Sequence, residues 1–353
     1  MNSSTPTSEV SRILIPLAAA VIVLAGMKAA SSIVGPIAFA IFLSVIFGSL
    51  LHWLERKGLT SGRALLLTLV VFFAIVAVFI VVIAGSFLQL LSDLPLYQQE
   101  LVASLDLVSP YLLSVGIDTS SLTIQDLVNS LSIGIGSLVR QLWNLAILMA
   151  MIILTTLFLL FEAKGFSQKL RVIIEDLRPG DLPRFITLAE KNIGYLIIRT
   201  EVNLAMGIGT AVILALIGVK YAIFWGFLAF LLGFIPYVGF WLAVIPPMVL
   251  AWFELGPLSA ILVLVGSAIV NLFAEYLMFP HLAARGLALS TAVVFISLLF
   301  WGWILGGFGV LLAVPLTLLV QMICELFDET RWISVLLGPS PGKEKGKGVI
   351  GRR

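Results

Sequence analysis

The chain has 353 residues, of which 60% are hydrophobic and 11% are charged. Soluble domains are about 45–50% apolar and about 25% charged, so this composition excludes an ordinary soluble protein and predicts an all-α polytopic membrane protein in contact with the lipid bilayer. The net charge of +2 gives no support to a nucleic-acid partner, and the single cysteine excludes a disulfide within the chain.

Apolar runs follow a polar segment, residues 1–12, for which the sequence predicts disorder. Since a spanning helix needs about 20 apolar residues, several of the runs are long enough to cross a membrane. The first run lacks a strongly basic lead-in and the next follows almost at once, so we expect an uncleaved helix rather than a signal peptide. The runs cover residues 13–30, 33–54, 64–91, 141–161, 200–219, 221–253, 257–279 and 287–324.

Loop charges predict the orientation in the membrane. Residues 92–139 carry five acidic and no basic side chains, whereas the segment 162–199 is basic. The positive-inside rule therefore places 92–140, which has apolar residues at helical spacing, outside as an amphipathic segment. The same rule places the amphipathic linker 162–199 and the basic tail 329–353 in the cytoplasm, together with the N terminus.

Two of the apolar runs, 221–253 and 287–324, are interrupted in the middle by proline, glycine and aromatic residues. The interruptions argue against unbroken helices, and the motif GFWLAVIP of the first run returns in the second as GVLLAVP. This echo predicts two re-entrant helical hairpins in an inverted repeat. They would form a transport core over 200–328, beside scaffold helices over 13–161.

The interruptions are also the candidate substrate site. A break frees backbone N–H and C=O groups, which can bind a polar, uncharged molecule without an ionised side chain. The competing interpretation is that the small residues allow close helix packing. The candidate substrate-binding residues are Pro236, Gly239, Gly306, Gly307, Gly309 and, one helical turn before Glu275, Asn271.

Two acidic residues in apolar surroundings are candidates for proton or cation coupling. Glu275 follows a long apolar stretch, and its alternative role is that of an interfacial carboxylate paired with Arg285 or His281. Glu201 opens another apolar helix, where an interfacial pair with its neighbour Arg199 is the simpler interpretation.

Several kinds of chemistry lack the residues that they require. The sequence GPSPGK at 338–343 is one residue too short between its glycines for a phosphate-binding loop, which argues against ATP-driven transport by this chain. The two histidines lie far apart and outside any cysteine or carboxylate cluster, so we expect no metal site and no cofactor. We find no catalytic constellation and predict that the chain is not an enzyme.

Three stretches carry a family resemblance: GFIPYVGFWLAVIPP, NLFAEYLMFPHLAARGLALS and FWGWILGGFGVLLAVPLTLLV. They resemble the autoinducer-2 exporter family of bacterial membrane proteins, and SSIVGPIAFAIFLSVIFGSLLHWLERKG extends the resemblance over nearly the whole chain. It implies about eight membrane segments, an inner-membrane location, and export of small quorum-sensing signals such as autoinducer-2. It also implies an elevator-like movement and a ring-like homo-oligomer, with a pentamer as one candidate.

The resemblance assigns motif positions residue by residue. Departures from the family pattern fall at Gly233 and Phe234 and within 281–284, and they leave autoinducer-2 itself open as the substrate. The matching motif residues are Pro246, Pro280, Arg285, Gly286 and Pro315.

From these features we predict a secondary transporter that exports a small polar signalling molecule or metabolite by alternating access. One alternative is a sodium (or lithium)/proton antiporter that uses Glu275 or Glu201, since some relatives are assigned cation/proton exchange. The other is a channel-like or purely structural membrane oligomer.

Overall fold

The computed structural model describes residues 7–82, 84, 85, 88, 92, 124–282 and 289–338, and every regular element in these ranges is helical. The all-α class predicted from composition is therefore confirmed. The longer elements are α1 (Thr7–Ala29), α2 (Ser31–Arg56), α3 (Ser61–Val82), α4 (Ile124–Leu177), α5 (Leu182–Ile217), α6 (Ala222–Leu232), α7 (Val238–Leu255), α8 (Pro257–Leu272), α10 (Thr291–Leu305) and α12 (Ala313–Leu326). The shorter ones are a π-helical turn (Phe273–Met278), α9 (Phe279–Leu282), α11 (Gly307–Leu311) and α13 (Arg331–Leu337).

Six helices in the described ranges are long and apolar enough to cross a membrane. Many large apolar side chains point outward, as Leu216 and Phe253 do with 79% and 81% of their surface exposed, which suits contact with lipid rather than water. The chain is thus a multi-pass membrane protein. The six spans are Ser31–Arg56, Ser61–Val82, Trp143–Ala163, Leu182–Ile217, Val238–Leu255 and Pro257–Leu282.

The chain divides into two compact units. One consists of Met1–Leu65 with Thr155–Arg353, and the other of Leu66–Leu154. Helix α1 begins at Thr7, inside the segment for which the sequence predicts disorder. Most of the predicted external segment, 92–140, lies outside the described residues, which resume at Ile124 with the start of α4.

Helix α5 is central to the larger unit, where it packs against both α6 and α8. Its approach to α6 is close because small residues face one another: a Cβ added to Gly207 would lie 2.7 Å from the Gly226 carbonyl oxygen. Helix α5 ends at Gly218, whose φ of 91° is the left-handed conformation typical of a helix C-cap. The chain then turns back and enters α6.

Each interrupted segment folds back on itself. The first consists of α6 and α7, and the Lys220 ammonium before α6 lies 2.9 Å from the Glu254 carboxylate near the end of α7. The second consists of α10, α11 and α12, and the indole Nε1 of Trp301 donates to Thr317 Oγ1 over 3.0 Å to join α10 to α12. We call these segments the first and the second hairpin.

The turn between α4 and α5 contacts the end of the second hairpin. The guanidinium of Arg178 donates to the Leu326 carbonyl, and that of Arg184 to the Glu325 carbonyl, each over 2.6 Å. The last carbonyls of an α-helix have no partner within the helix, so the two arginines cap α12 from outside. The linker predicted over 162–199 is therefore helix, turn and helix, with its turn bound to the second hairpin.

Candidate functional site

The first hairpin bends through residues 233–237, between α6 and α7. Two short turns end α6, since the Ile235 N–H donates to the Leu232 carbonyl over 2.8 Å. A three-residue turn follows, in which the Val238 N–H donates to the Pro236 carbonyl over 2.7 Å and Tyr237 adopts φ 65°, ψ −45°. This is the rare form of the γ-turn, which strains a residue with a side chain.

The second hairpin bends by a different route. Gly306 takes φ 63°, ψ −140°, which a residue with a side chain rarely adopts, and α11 begins directly after it. Gly306 and Gly307 are both exposed at the tip of this bend. A Cβ added to Gly307 would meet no atom within 4 Å.

Each hairpin nevertheless contains the same kind of close internal contact. A Cβ added to Gly239 would overlap the carbonyl oxygen of Leu232, and one added to Gly309 would overlap that of Trp301. Both glycines are therefore needed for packing, as the competing interpretation of the sequence proposes. The residues that follow them in the echoed motif are also equivalent, because Ala243 and Ala313 are both buried.

A buried ion pair lies at the first bend. Arg199 of α5, only 8% exposed, is the single charged side chain among the buried residues that the structure describes. Its Nη1 lies 2.8 Å from Oε1 of Glu275 on the π-helical turn, and its Nη2 donates to the Gly233 carbonyl. The guanidinium also lies 5.7 Å from the ring centre of Phe279. Arg199 thus joins α5, the π-helical turn and the first bend.

Asn203 lies one helical turn beyond Arg199 on α5 and is fully buried. Neither its Nδ2 nor its Oδ1 has a hydrogen-bond partner among the described residues. Its Oδ1 would lie 2.7 Å from a Cβ added to Gly233. Because buried amides nearly always have partners, this pair of free atoms indicates a position built for a polar ligand or an ordered water.

A small pocket continues from this point between α5, α6, α7 and α8. Its cavity volume is about 10 Å³, the space of about one water molecule. Ser267, which is 4% exposed, carries a hydroxyl without a partner in the described part of the chain. The pocket is lined by Met206, Thr210, Ala229, Phe240, Ala243, Val244, Ser267 and Asn271. It therefore combines three polar, uncharged side chains with an apolar wall, and has room for about one water molecule.

The structure places the predicted site residues in several different surroundings. Asn271 lines the pocket, and Gly239 lies in the first hairpin beside it, whereas Glu201 is exposed on α5 away from the buried face. Pro246 and Pro280 are exposed, and Pro315 lines a separate apolar cavity between α2, α5 and α12. Arg285 and Gly286 lie outside the described residues. Pro236 is half-buried at the first bend.

The ion pairs expected from sequence differ from the pair that the structure contains. Arg199 contacts Glu275, 76 residues away, instead of its neighbour Glu201. Glu275 in turn pairs with Arg199 rather than with His281. Arg199 and Asn203 are the functional candidates that the sequence interpretation missed. The signal that could have found them is their spacing, because i and i+4 place both on one helix face.

The described residues contain no group of three or more histidine, cysteine, aspartate or glutamate side chains that could hold a metal ion. The polar groups of the pocket and the first bend are instead hydroxyls, amides and one Arg–Glu pair. This arrangement can bind and release a ligand by hydrogen bonding.

Comparisons with known proteins agree on one family. A model described as AI-2E family transporter matches residues 17–328. The AI-2 transport protein TqsA of Escherichia coli (strain K12) is 32% identical over 92% of this chain and 95% of its own length. YhhT of the same strain, to which a transport role is ascribed, is 29% identical over 98% of this chain and 99% of its own. A protein of Haemophilus influenzae (strain ATCC 51907 / DSM 11121 / KW20 / Rd), also ascribed a transport role, is 30% identical over 93% of this chain and 96% of its own.

Proposed function

The chain belongs to the AI-2E transporter family, and on that premise we propose that it is a secondary transporter that exports a small polar signalling molecule or metabolite across the bacterial inner membrane. Its relatives are named as transport proteins and not as enzymes. Because TqsA is named for AI-2, an autoinducer-2-like molecule is the first candidate substrate.

One observation carries the proposal: a small pocket with three polar side chains lies beside a broken helix that folds back on itself. Irregular backbone at membrane depth is tolerated only where protein buries it or where it lines a cavity, and transporters place such breaks at their substrate sites. Here the pocket is lined from α7 of the first hairpin by Ala243 and from α8 by Ser267 and Asn271. Its polar groups are uncharged, which suits a neutral, hydroxyl-bearing part of a ligand.

The membrane arrangement that we propose has eight segments, two of which are re-entrant hairpins, with both chain ends in the cytoplasm. The Lys220–Glu254 ion pair supports a re-entrant first hairpin, because it brings the start and the end of that segment together. A re-entrant segment returns to the face of the membrane that it left. Residues 13–161 would then serve as scaffold and 200–328 as transport core.

The mechanism that we propose is an elevator-type movement of the core. Within each hairpin a glycine lies directly against a backbone carbonyl, at Gly239 and at Gly309, so neither hairpin has room to shear internally. A hairpin that cannot deform must move as one body. The ring-like homo-oligomer implied by the family resemblance would supply the fixed frame for this movement.

Flux measurements test the proposal. In inverted membrane vesicles we expect saturable uptake of labelled autoinducer-2 or of a related small polar metabolite, measured with and without a proton gradient. Asn271→Ala should lower the flux about tenfold, since the pocket loses one of its few hydrogen-bonding groups. Ser259→Ala, on the same helix but outside the pocket, is the matched control and should retain the wild-type rate.

Two results would contradict the proposal. Ion conductance without saturation would indicate a channel. Sodium or lithium movement that abolishes a proton gradient, with no flux of the metabolite panel, would indicate an antiporter.

A further inference from the structure

We propose that Arg199, Asn203 and Gly233 form a binding site for an acidic group on the transported molecule, and that Glu275 occupies this site when no ligand is bound. The inference rests on the transport function proposed above and adds a substrate class to it. The expected ligand is a small hydroxylated acid, with a carboxylate or phosphate at Arg199.

Arg199 is the fixed half of the site. Its side chain is 9% exposed and its guanidinium makes contacts in three directions, to Glu275, to the Gly233 carbonyl and to the Phe279 ring. A buried guanidinium requires a counter-charge, because an unpaired charge is strongly disfavoured away from water. The planar fork of arginine suits a carboxylate or a phosphate in particular.

Glu275 is the replaceable half. Its side chain is 29% exposed, about three times as much as that of Arg199. Among the described residues, Arg199 is the one partner recorded for its carboxylate, through both Oε1 and Oε2. It is carried by a π-helical turn, an element that is rare and frequently found at functional sites. A ligand carboxylate could therefore take its place without displacing a core helix.

Asn203 supplies the second contact. It is 0% exposed, its amide has both a free donor and a free acceptor among the described residues, and it faces Gly233 from the same side of α5 as Arg199. A primary amide can accept from and donate to a hydroxyl at once. Met206, near the same glycine, also lines the small pocket, so the proposed acid site and the pocket lie on either side of this methionine.

A cation is the competing ligand. Metal cations such as Na⁺ prefer hard oxygen donors, and three lie here: the Glu275 carboxylate, the Gly233 carbonyl and the Asn203 amide oxygen. In a cation site, the Arg199 guanidinium would occupy the position of the cation when none is bound. The exposures favour an anion, because the carboxylate is the more accessible partner and the guanidinium the more deeply fixed one. The two classes of ligand predict opposite effects of the same substitutions.

Thermal unfolding of the purified full chain in detergent tests the site, with L-lactate as the acid probe and glycerol as its neutral match. Binding to the folded state raises the melting temperature by mass action. Lactate should stabilise the wild type and glycerol should not. In Glu275→Gln the apparent affinity for lactate should rise at least about tenfold, because the internal competitor is gone. In Arg199→Gln the lactate effect should vanish.

Two further variants keep the test decisive. Arg199→Lys retains the charge but lacks the planar fork, so it should weaken lactate binding even if Arg199→Gln does not fold. Lys220→Gln disrupts the ion pair that joins the two ends of the first hairpin and should leave the lactate effect unchanged.

Three results would overturn the proposal. These are a lactate effect that survives in Arg199→Gln and in Arg199→Lys, a lactate effect that is lost in Glu275→Gln, and stabilisation by NaCl over choline chloride that Arg199→Gln strengthens. The last result would assign a cation site. None of these results concerns the flux of a neutral substrate. The proposal of an acid-binding site can therefore be wrong while the proposed export function is right.

Discussion

The two hairpins have the same core contact but different bends. Both place a glycine against a backbone carbonyl and bury the alanine four residues later. The first bend is closed by a strained turn at Tyr237 and contacts a buried ion pair, whereas the second is closed by a glycine. The shared part is therefore structural, and the difference is that the first bend contacts the buried Arg199–Glu275 pair.

The largest expected effect tests the shared contact. Gly239→Ala and Gly309→Ala should each destabilise the folded protein by more than about 3 kcal/mol, the upper end for ordinary overpacking, because the new methyl group overlaps backbone rather than a movable side chain. Yield of monodisperse protein and thermal unfolding would measure the loss. Gly307→Ala, at an open position, should stay within about 0.5 kcal/mol of wild type. Tolerance of only one of the two alanines would end the equivalence of the hairpins.

A smaller loss of stability is expected from a change that affects only the second hairpin. Trp301→Phe removes the indole N–H that bonds to Thr317 and leaves a small void, for an expected loss of about 1–3 kcal/mol. Trp252→Phe, at an exposed tryptophan of the first hairpin, is the control and should change little. Lactate stabilisation should persist in Trp301→Phe, and its disappearance would mean that the two hairpins do not have separate roles.

The smallest effect should have the opposite sign. Tyr237→Gly relieves the positive φ of the first bend and should stabilise the protein by up to about 1 kcal/mol, after allowance for the greater freedom of glycine in the unfolded chain. Val238→Gly, at the next residue, which has helical conformation, should instead destabilise by about 0.5–1 kcal/mol. Equal changes in the two melting temperatures would show that the turn stores no strain.

The features of the two hairpins that depend on local residue chemistry could be predicted from the sequence. Proline and glycine interrupt apolar runs visibly, so the positions of both bends and the repeated motif could be read directly. The ion pair between Lys220 and Glu254, at the two ends of the first segment, could be found only once the hairpin was known.

The charged site could not be found in this way. Arg199 has an acidic neighbour at Glu201, but residues two apart on a helix lie on different faces, and α5 turns Glu201 to the surface and Arg199 inward. The partner of Arg199 is 76 residues away, and only the packing of α8 and its π-helical extension against α5 brings the two together. The i, i+4 spacing places Asn203 on the same helix face as Arg199, but an asparagine in an apolar helix does not reveal whether its amide has partners.

The two arginine caps on α12 have a mechanical consequence. Arg178 and Arg184 hold the base of the second hairpin to the start of α5, while its tip at Gly306 and Gly307 stays exposed. These hydrogen bonds join the end of α12 to the start of α5. Any movement of the second hairpin must therefore also move residues 178–184. In the movement proposed above, the moving part would therefore begin before residue 200 and include this turn.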